Sequence, residues 1–362
     1  MMTEEKLSYK EFLSTLGIDA EITADNKVKT YTSVEKELAS LYDGVGLRNI
    51  SHHGMIELRG KDTLDFLNRI STNSVKDLGK ERITRTIFTT EKGRIIDLTI
   101  LLNFEDYQIL FCNAEHQHKI FKWLDKYIIS DDVKVSDING KYTLLELAGP
   151  QADSFITLIC GNILSNIPEN SFKVIGAEGM LFFLAKMRNE KNKLKYWIIA
   201  DQANGNRFIK YAVEQKGIFD FNLIGEEAYN IYRVEQGIPA APNEINDDYN
   251  PNEAGLLEYI DFKKGCYIGQ EVIARLDTYD KVQRGVKGIV FSGPAEQKQY
   301  ILFNGDGNES GKVTSVVYSP KCKKSIGLGY IRKNYLDDGT MLTAKDSDGK
   351  EIKVSVHKIP FK

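Results

Sequence analysis

Hydrophobic residues recur at helical spacing in parts of the chain and form short apolar runs in others. Spacings of three and four predict helices at residues 6–16, 34–42, 62–70 and 116–127. Runs of β-branched and aromatic residues predict strands at residues 83–88 and 95–102, joined as a hairpin. The first part of the chain is therefore predicted to be α+β, without repeated βαβ units.

The pattern changes twice further along the chain. Between residues 141 and 228 it predicts strands at 142–148, 180–184 and 196–200, and helices at 151–160 and 206–216. This order is typical of a ferredoxin-like α/β unit. After residue 285, glycine and aspartate turns separate short predicted strands at 286–291, 312–318, 325–332, 341–344 and 351–356. The last part is therefore predicted to be a small β-barrel or sandwich.

Composition narrows the class of protein. A chain of 362 residues with 42% hydrophobic and 27% charged residues indicates a globular protein of two or three domains. Its net charge of −3 gives no reason to expect direct nucleic-acid binding. We expect no membrane partner, because no apolar run is long enough to span a bilayer.

The four cysteines are far apart and form no CxxC pair, so no metal site is predicted. The first six residues lack a basic stretch followed by an apolar one, so no signal peptide is predicted. Reduced thiols and this N-terminus lead us to expect a cytoplasmic protein.

Residues 263–271 hold the strongest chemical signal. They read Lys-Lys-Gly-Cys-Tyr-Ile-Gly-Gln-Glu, which combines a thiol with two cations, an amide and a carboxylate. Neighbouring cations favour the thiolate form of a cysteine, and glycine permits close approach of the backbone. Two interpretations stay open from the residues alone: a functional loop around Cys266, or a tight turn with a buried cysteine.

This stretch, with Ala274 and Arg275 after it, resembles the signature of the YgfZ-type folate-binding proteins. Those proteins are linked to iron–sulfur cluster assembly and tRNA modification, and are related to the glycine cleavage T-protein, an aminomethyltransferase. Weaker resemblances follow in the family's order at residues 49–62, 72–75, 91–97, 147–152 and 233–239.

The resemblance implies a ring of three domains around a central cavity. A folate-binding domain would combine residues 1–140 with 229–284. The other two domains would be a ferredoxin-like domain at 141–228 and a barrel at 285–362. It further implies tetrahydrofolate or a derivative as cofactor, and iron–sulfur client or assembly proteins as partners.

The same resemblance implies roles for the signature residues. Cys266 would be the working residue, and Lys263 and Lys264 would favour its thiolate. The other signature residues would shape the loop; they are Gly265, Tyr267, Gly269, Gln270, Glu271 and Arg275.

Four further residues are implied in folate binding. His53 and Tyr229 stand where relatives place aromatic residues against folate. Arg233 would bind a folate carboxylate, or else form a structural salt bridge with Glu235 or Asp97. Asp97 is the remaining folate-binding candidate. The next residue, Leu98, stands where T-proteins carry the catalytic aspartate, and leucine transfers no proton.

Three functions remain open at this point. The favoured one is a folate-binding accessory protein for assembly or repair of iron–sulfur clusters, which would support tRNA modification indirectly. The alternative is a folate-dependent aminomethyltransferase or demethylase. A third is an interaction module that has kept the fold and lost the ligand.

Overall fold

A computed structural model of the chain describes residues 8–23, 27–188, 193–278 and 281–361. Residues 6 and 7 of the first predicted helix lie outside these ranges. The α-helices of the described ranges, in chain order, are α1 (Tyr9–Thr15), α2 (Val34–Tyr42), α3 (Thr63–Ile70), α4 (Gln117–Tyr127), α5 (Ala152–Cys160), α6 (Gln202–Glu214), α7 (Glu226–Gln236) and α8 (Gln270–Thr278).

The strands fall into two large sheets, one barrel and a short N-terminal pair. In chain order they are β1 (Glu21–Ile22), β2 (Val28–Thr30), β3 (Val45–Asn49), β4 (Gly54–Arg59), β5 (Ile83–Thr89), β6 (Ile95–Asn103), β7 (Tyr107–Cys112), β8 (Lys134–Asp137), β9 (Thr143–Ala148), β10 (Ser171–Ala177), β11 (Met180–Arg188), β12 (Leu194–Ala200), β13 (Phe221–Leu223), β14 (Arg284–Phe291), β15 (Tyr300–Phe303), β16 (Glu309–Ser319), β17 (Lys324–Arg332), β18 (Met341–Lys345) and β19 (Glu351–His357).

The two large sheets pack face to face. One has the order β5-β6-β7-β4-β8, and the other has the order β10-β11-β12-β9-β3-β13. Phe111 of the first sheet and Trp197 of the second meet in the core between them, with ring centroids 5.3 Å apart. Because strand side chains alternate between faces, the opposite faces are left for the helices. Helices α3 and α4 cover the first sheet, and α5 and α6 cover the second.

Strand β3 extends the second sheet with residues from the first part of the chain. It pairs antiparallel with β9 and parallel with β13. Gly46 permits this packing, because a Cβ there would lie 2.6 Å from a side-chain carbon of Ile224. The predicted domain at 141–228 is thus completed by a strand from residues 45–49, and the division of the chain into domains remains a prediction.

The C-terminal strands close into a six-stranded barrel in the order β14-β17-β16-β15-β18-β19, with β19 pairing back to β14. Its interior holds apolar side chains from all six strands, for example Phe291, Leu302 and Val354. The predicted mixed α/β fold with a C-terminal β-barrel is therefore confirmed. Of the two C-terminal architectures considered, the barrel is the one observed.

A buried ion pair joins the barrel to α7. Arg233 of α7 donates to Glu244 Oε2 at 3.0 Å, and Glu244 is fully buried. The hydroxyls of Thr314 and Ser315 donate to Glu244 Oε1 at 2.5 and 2.6 Å. A register shift in β16 between Val313 and Ser315 lets two consecutive hydroxyls reach one carboxylate.

Within the described ranges, no helix is both long and apolar enough to cross a bilayer.

We predict that Glu244→Ala lowers the free energy of unfolding by about 3–5 kcal/mol, because it leaves Arg233 buried without its carboxylate. Urea denaturation followed by circular dichroism measures the change. Glu258→Ala is the matched control, since Glu258 is exposed, and should be nearly neutral. A loss below about 1 kcal/mol for Glu244→Ala would contradict the role given to this pair.

Candidate functional site

A cavity of about 510 Å³ lies where the two sheets, α7 and the chain after α7 meet. Its volume falls in the usual range for small-molecule sites. Strands β3, β9 and β12 supply one wall, and β6, β7 and the residues after β7 supply another. The predicted central cavity is therefore present. Its walls come from the segment 141–228 as well as from the predicted folate-binding domain.

Three of the four predicted folate-binding residues line this cavity: His53, Tyr229 and Arg233. The Nδ1 atom of His53 lies 3.1 Å from the carbonyl oxygen of Ile50, so this nitrogen carries the proton that is donated. Burial, with smaller effects of His52 and Arg48, lowers the pKa of His53 to about 3. The cavity therefore receives a neutral imidazole at physiological pH.

Tyr229 lies on α7 with its ring covered by a cation. The guanidinium carbon of Arg48 is 3.5 Å from the ring centroid, which is a close cation–π contact. One face of the ring is thus occupied by Arg48. The predicted stacking of a ligand on Tyr229 is limited to the other face or to the ring edge.

Arg233 lines the cavity but is held by neighbouring groups. Besides Glu244, it donates to Asn230 Oδ1 and Ser315 Oγ, both at 2.8 Å. The geometry thus favours the structural salt bridge over a folate carboxylate contact. The prediction that Glu235 or Asp97 is the salt-bridge partner of Arg233 was wrong, because the partner is Glu244.

Asp97 is fully buried and does not line the cavity. Its buried carboxylate accepts hydrogen bonds from the backbone and side-chain nitrogens of Asn113, at 2.8 and 2.6 Å. His116 Nδ1 lies 3.1 Å from the same carboxylate. Asn113 does line the cavity, so Asp97 can act there only by fixing Asn113.

Leu98 points the other way and lies in the cavity wall. Neighbouring side chains of a strand face opposite sides of the sheet, so Asp97 and Leu98 cannot both face the cavity. The position that would carry the proton-transferring acid is therefore both apolar and directed into the cavity.

Sequence analysis missed four further residues, which we call the polar floor: Arg48, Glu146, Lys195 and Trp197. They come from β3, β9 and β12 and all line the cavity. Arg48 donates to both carboxylate oxygens of Glu226 at 3.0 Å. A polar residue at an inward position of an otherwise apolar strand, as at Glu146, was the available signal.

The polar floor carries an ionised carboxylate. Lys195 Nζ and Trp197 Nε1 donate to Glu146 Oε2 at 2.7 and 3.1 Å. Burial alone would raise the pKa of Glu146, but the charges of Lys195 and Arg48 and these hydrogen bonds lower it to about 2. Glu146 is therefore a hydrogen-bond acceptor and not a proton donor at physiological pH.

The signature loop lies outside the cavity lining, at a different surface. Cys266 is exposed, which excludes the tight turn with a buried cysteine, while Cys112 and Cys160 are buried and Cys322 is half-buried. Gly269 has φ +83°, and a Cβ there would lie 2.6 Å from the carbonyl oxygen of Thr90. Glycine is thus required where the loop crosses the β5–β6 hairpin.

Lys264 fastens the loop to the chain before β5. Its Nζ donates to the carbonyl oxygens of Ser71 and Asn73 at 2.8 and 2.5 Å. Burial lowers the pKa of Lys264 to about 8, against a smaller opposing effect of Asp261. Lys264 thus has a structural role in the loop, and its effect on the Cys266 thiolate, like that of exposed Lys263, remains a prediction.

The remaining signature residues divide between core and surface. Tyr267 is buried, and its hydroxyl has no hydrogen-bond partner among the described residues. Gln270 begins α8 half-buried, whereas Glu271 and Arg275 of that helix are exposed. Gly265 is also exposed, with open space where a Cβ would be. The surface around Cys266 is therefore accessible to a partner.

Family models match nearly all of the chain. Residues 12–264 match the GCVT N-terminal domain, and residues 284–362 match the glycine cleavage T-protein C-terminal barrel domain. The solved structure of glycine cleavage system aminomethyltransferase T from Bartonella henselae has the same fold, with a TM-score of 0.80. The match covers 97% of this chain and 96% of that one, at 22% sequence identity.

Relatives by sequence span most of the chain as well. The mitochondrial aminomethyltransferase of Flaveria trinervia is 29% identical over 334 residues, covering 90% of this chain and 80% of its own length. A chloroplastic protein of Arabidopsis thaliana, whose name assigns it provisionally to the transferases, is 27% identical over 353 residues, covering 97% of this chain and 79% of its own. With both domain models matched in order, the chain belongs to the glycine cleavage T-protein family.

Proposed function

We propose that this chain is a YgfZ-type member of the family. In this proposal it binds a reduced folate in the central cavity and assists assembly or repair of iron–sulfur clusters in other proteins. Transfer of aminomethyl groups is not its reaction. The observation that carries the proposal is Leu98, because an apolar side chain faces the cavity where the resemblance places the catalytic acid.

The cavity fits a folate in size and in the chemistry of its walls. Its roughly 510 Å³ is lined by flat groups such as Trp197 and His53 and by buried charged groups. Arg48 Nε is buried without a hydrogen-bond partner among the described residues, which is a costly arrangement in the absence of a ligand. A bound folate would supply one-carbon carrier chemistry; the residues here would bind and orient it.

The accessory role is supported by the position of Cys266. The thiol is exposed on a loop that does not line the cavity, so it faces partners and not the folate. One thiolate cannot hold an iron–sulfur cluster, which needs about four protein ligands. Cys266 would therefore act together with a client or assembly protein, and support of tRNA modification would follow indirectly.

The compartment belongs to the same proposal. All four cysteines are free, which suits a reducing compartment such as the cytoplasm. The similarity to a chloroplastic protein of Arabidopsis thaliana makes an organelle the alternative compartment. Microscopy of a tagged chain would distinguish the two.

A second function is favoured by the names of the relatives. Several are aminomethyltransferases, among them that of Thermosipho melanesiensis, at 26% identity over 343 residues. Aminomethyl transfer needs a proton-handling group that Leu98 does not provide. Leu98 argues less strongly against a folate-dependent demethylation. An interaction module without ligand is the third function, and a folate titration separates it from the other two.

We predict that tetrahydrofolate quenches the fluorescence of Trp197. The chain has two tryptophans, and of these only Trp197 lines the cavity. Trp123→Phe should therefore show saturable quenching, while Trp197→Phe should show only the absorption of the added folate. Equal responses of the two variants, or no heat of binding in calorimetry up to millimolar tetrahydrofolate, would remove the folate claim.

This binding should depend little on pH. The lowered pKa values of His53 and Glu146, about 3 and about 2, keep both groups in one charge state from pH 6 to pH 8. We expect the dissociation constant to change by less than about twofold from these groups over that interval. An unperturbed histidine would instead change charge within it, so a larger change centred near pH 6.5 would contradict the neutral His53.

We predict no aminomethyl transfer from an aminomethylated carrier protein to tetrahydrofolate. Leu98 neither accepts nor donates a proton, so the barrier to the reaction is not lowered at that position. The Thermosipho melanesiensis aminomethyltransferase, assayed beside it, is the positive control. Turnover by this chain that disappears in Tyr229→Ala would show the inference to be wrong.

We predict that Cys266 reacts fastest with alkylating agents and is needed for function. Cys112 and Cys160 are 2% and 6% exposed and should react slowly in the folded chain. In a host strain that lacks the protein, Cys322→Ala should restore iron–sulfur enzyme activity and Cys266→Ala should not. Full restoration by Cys266→Ala would make the thiol structural.

A further inference from the structure

Strand β10 is an outer strand of the six-stranded sheet, and only the first part of its free edge is covered. Phe172 donates its outward N–H to the carbonyl oxygen of Glu81 at 3.0 Å. Because the N–H and C=O groups of strand residues alternate in direction, Val174 and Gly176 direct theirs outwards, as Phe172 does. Within the described ranges, the outward groups of Val174 and Gly176 form no hydrogen bond.

The other outer strands of the two large sheets are protected in ways that β10 is not. The edge of β5 is covered by residues 71–73, where Thr72 donates to the carbonyl oxygen of Ile87 at 3.0 Å. Strand β8 carries charges at both ends, Lys134 and Asp137, and β13 has only 3 residues. The free part of β10 reads Val-Ile-Gly-Ala, without charge or proline. Such an edge readily pairs with another chain, so it indicates an interface.

Apolar side chains beside this free edge are exposed to solvent. Val174 is 56% exposed, and Leu181 of β11 is 59% exposed. Val174 pairs with Phe183 and Gly176 pairs with Leu181, so these residues share one face of the β10–β11 hairpin. A Cβ on Gly176 would meet no atom of the described residues within 4 Å. Leu181 is therefore accessible to a side chain that crosses Gly176 from the outer side.

The free edge is complementary to a second copy of itself. An antiparallel pair with its two-fold axis at Ile175 sets Val174 of one copy opposite Gly176 of the other. Each outward N–H then faces an outward C=O, and the symmetry repeats the match. The side chain of Val174 crosses Gly176 of the second copy and reaches Leu181 there. One register therefore satisfies the open backbone groups and covers the exposed apolar side chains.

The charges at the two ends of the free edge select the same direction. Lys173, which pairs with Glu81 of its own chain, lies at one end, and exposed Glu178 lies at the other. The antiparallel register sets Lys173 of each copy beside Glu178 of the other. A parallel pair would instead bring like charges together. Charge complementarity thus favours a second copy in the antiparallel direction.

We propose that two copies of this chain associate through β10 as a symmetric dimer, in which the two six-stranded sheets join into one continuous sheet. The surface involved is the free edge of β10 together with Val174 and Leu181. This contact is small, so the dimer is weak, with a dissociation constant in the micromolar range. The association is separate from folate binding, since the hairpin does not line the cavity.

Sedimentation equilibrium of the full chain tests the proposal between about 1 and 200 µM, the range of weak dimers. We expect the wild type to change from the mass of one chain to that of two. Gly176→Lys should stay monomeric, because its side chain fills the space that Val174 of the second copy needs. The variant should fold, since the space beside Gly176 is open, and circular dichroism checks this.

Met341→Lys is the matched control for a new surface lysine. Met341 is an apolar strand residue of similar exposure, at 62%, but it lies in the barrel. This variant should dimerise as the wild type does.

Hydrogen exchange followed by mass spectrometry locates the contact. Peptides that contain Val174 and Gly176 should exchange at least about threefold more slowly at the high concentration than at the low one, because pairing occupies their free amides. Peptides of β8, another outer strand, should exchange at the same rate at both concentrations.

The outcomes decide the proposal. A monomer at every concentration would overturn it, as would a dimer that Gly176→Lys leaves intact. Slow exchange of the Val174 and Gly176 amides in a monomer would mean that something other than a second copy covers the edge, and would also overturn it. None of these results changes the case for folate binding, which the fluorescence titration tests separately.

Discussion

The buried pair of Arg233 and Glu244 is the interaction on which the cavity depends. Glu244 is fully buried and Arg233 is only 5% exposed, so neither charge is tolerated without the other. Arg233 belongs to α7, which also carries Tyr229 into the cavity, and Glu244 belongs to the chain that closes the cavity after α7. Two hydroxyls of β16 complete the carboxylate's hydrogen bonds. The position of the cavity wall and the seating of the barrel are therefore set by one group of contacts.

The alternation of side chains along strands decides which residues can do chemistry in that cavity. Strand β6 pairs Leu98 with Ile87 and Asp97 with Phe88, and this register directs Asp97 away from the ligand space. A shift of one residue would exchange the two faces, but it would also place Ile100 and the other cavity-facing apolar residues in the wrong layer. Asp97 therefore does not replace the missing acid from the neighbouring position. Its carboxylate accepts hydrogen bonds from Asn113, so the cavity wall is polar at Asn113 and apolar at Leu98.

The sequence allowed good prediction where structure depends on nearby residues. Helix α2 has the predicted bounds, because Ser33 caps an uninterrupted amphipathic pattern. Helix α6 begins four residues before the prediction: its cap is Asp201, and the first turn contains polar residues and a glycine. Strand β15 was missed because its four residues are only half-buried by alternation. Asp62 precedes α3 without capping it by its side chain, because its carboxylate accepts the backbone N–H of Asp132.

The site was harder to predict because its parts come together only through long-range pairing. Arg48 and Glu146 are neighbours across β3 and β9, nearly a hundred residues apart in the chain. No local pattern specifies that contact, and Trp197 lies in a run that indicates an ordinary buried strand. His53, Tyr229 and Leu98 could be placed from a family resemblance because each lies in or beside a recognisable segment. The partner of Arg233 could not, since Glu244 lies in a loop without regular structure.

The cavity and the signature loop lie at different surfaces, yet one strand serves both. Arg85 of β5 lines the cavity, and its guanidinium donates to the hydroxyl of Tyr259 and the carbonyl oxygen of Arg188. At the end of the same strand, Thr89 donates to the carbonyl oxygen of Ile268 within the signature loop. Such continuity does not by itself couple the two surfaces, because a ligand shifts an equilibrium only by its difference in affinity between two states. A ligand that binds the folded cavity nevertheless stabilises every element whose order the cavity requires. Since β5 is one of those elements, the frame that holds the Cys266 loop is stabilised with it, whether or not the folate takes part in chemistry.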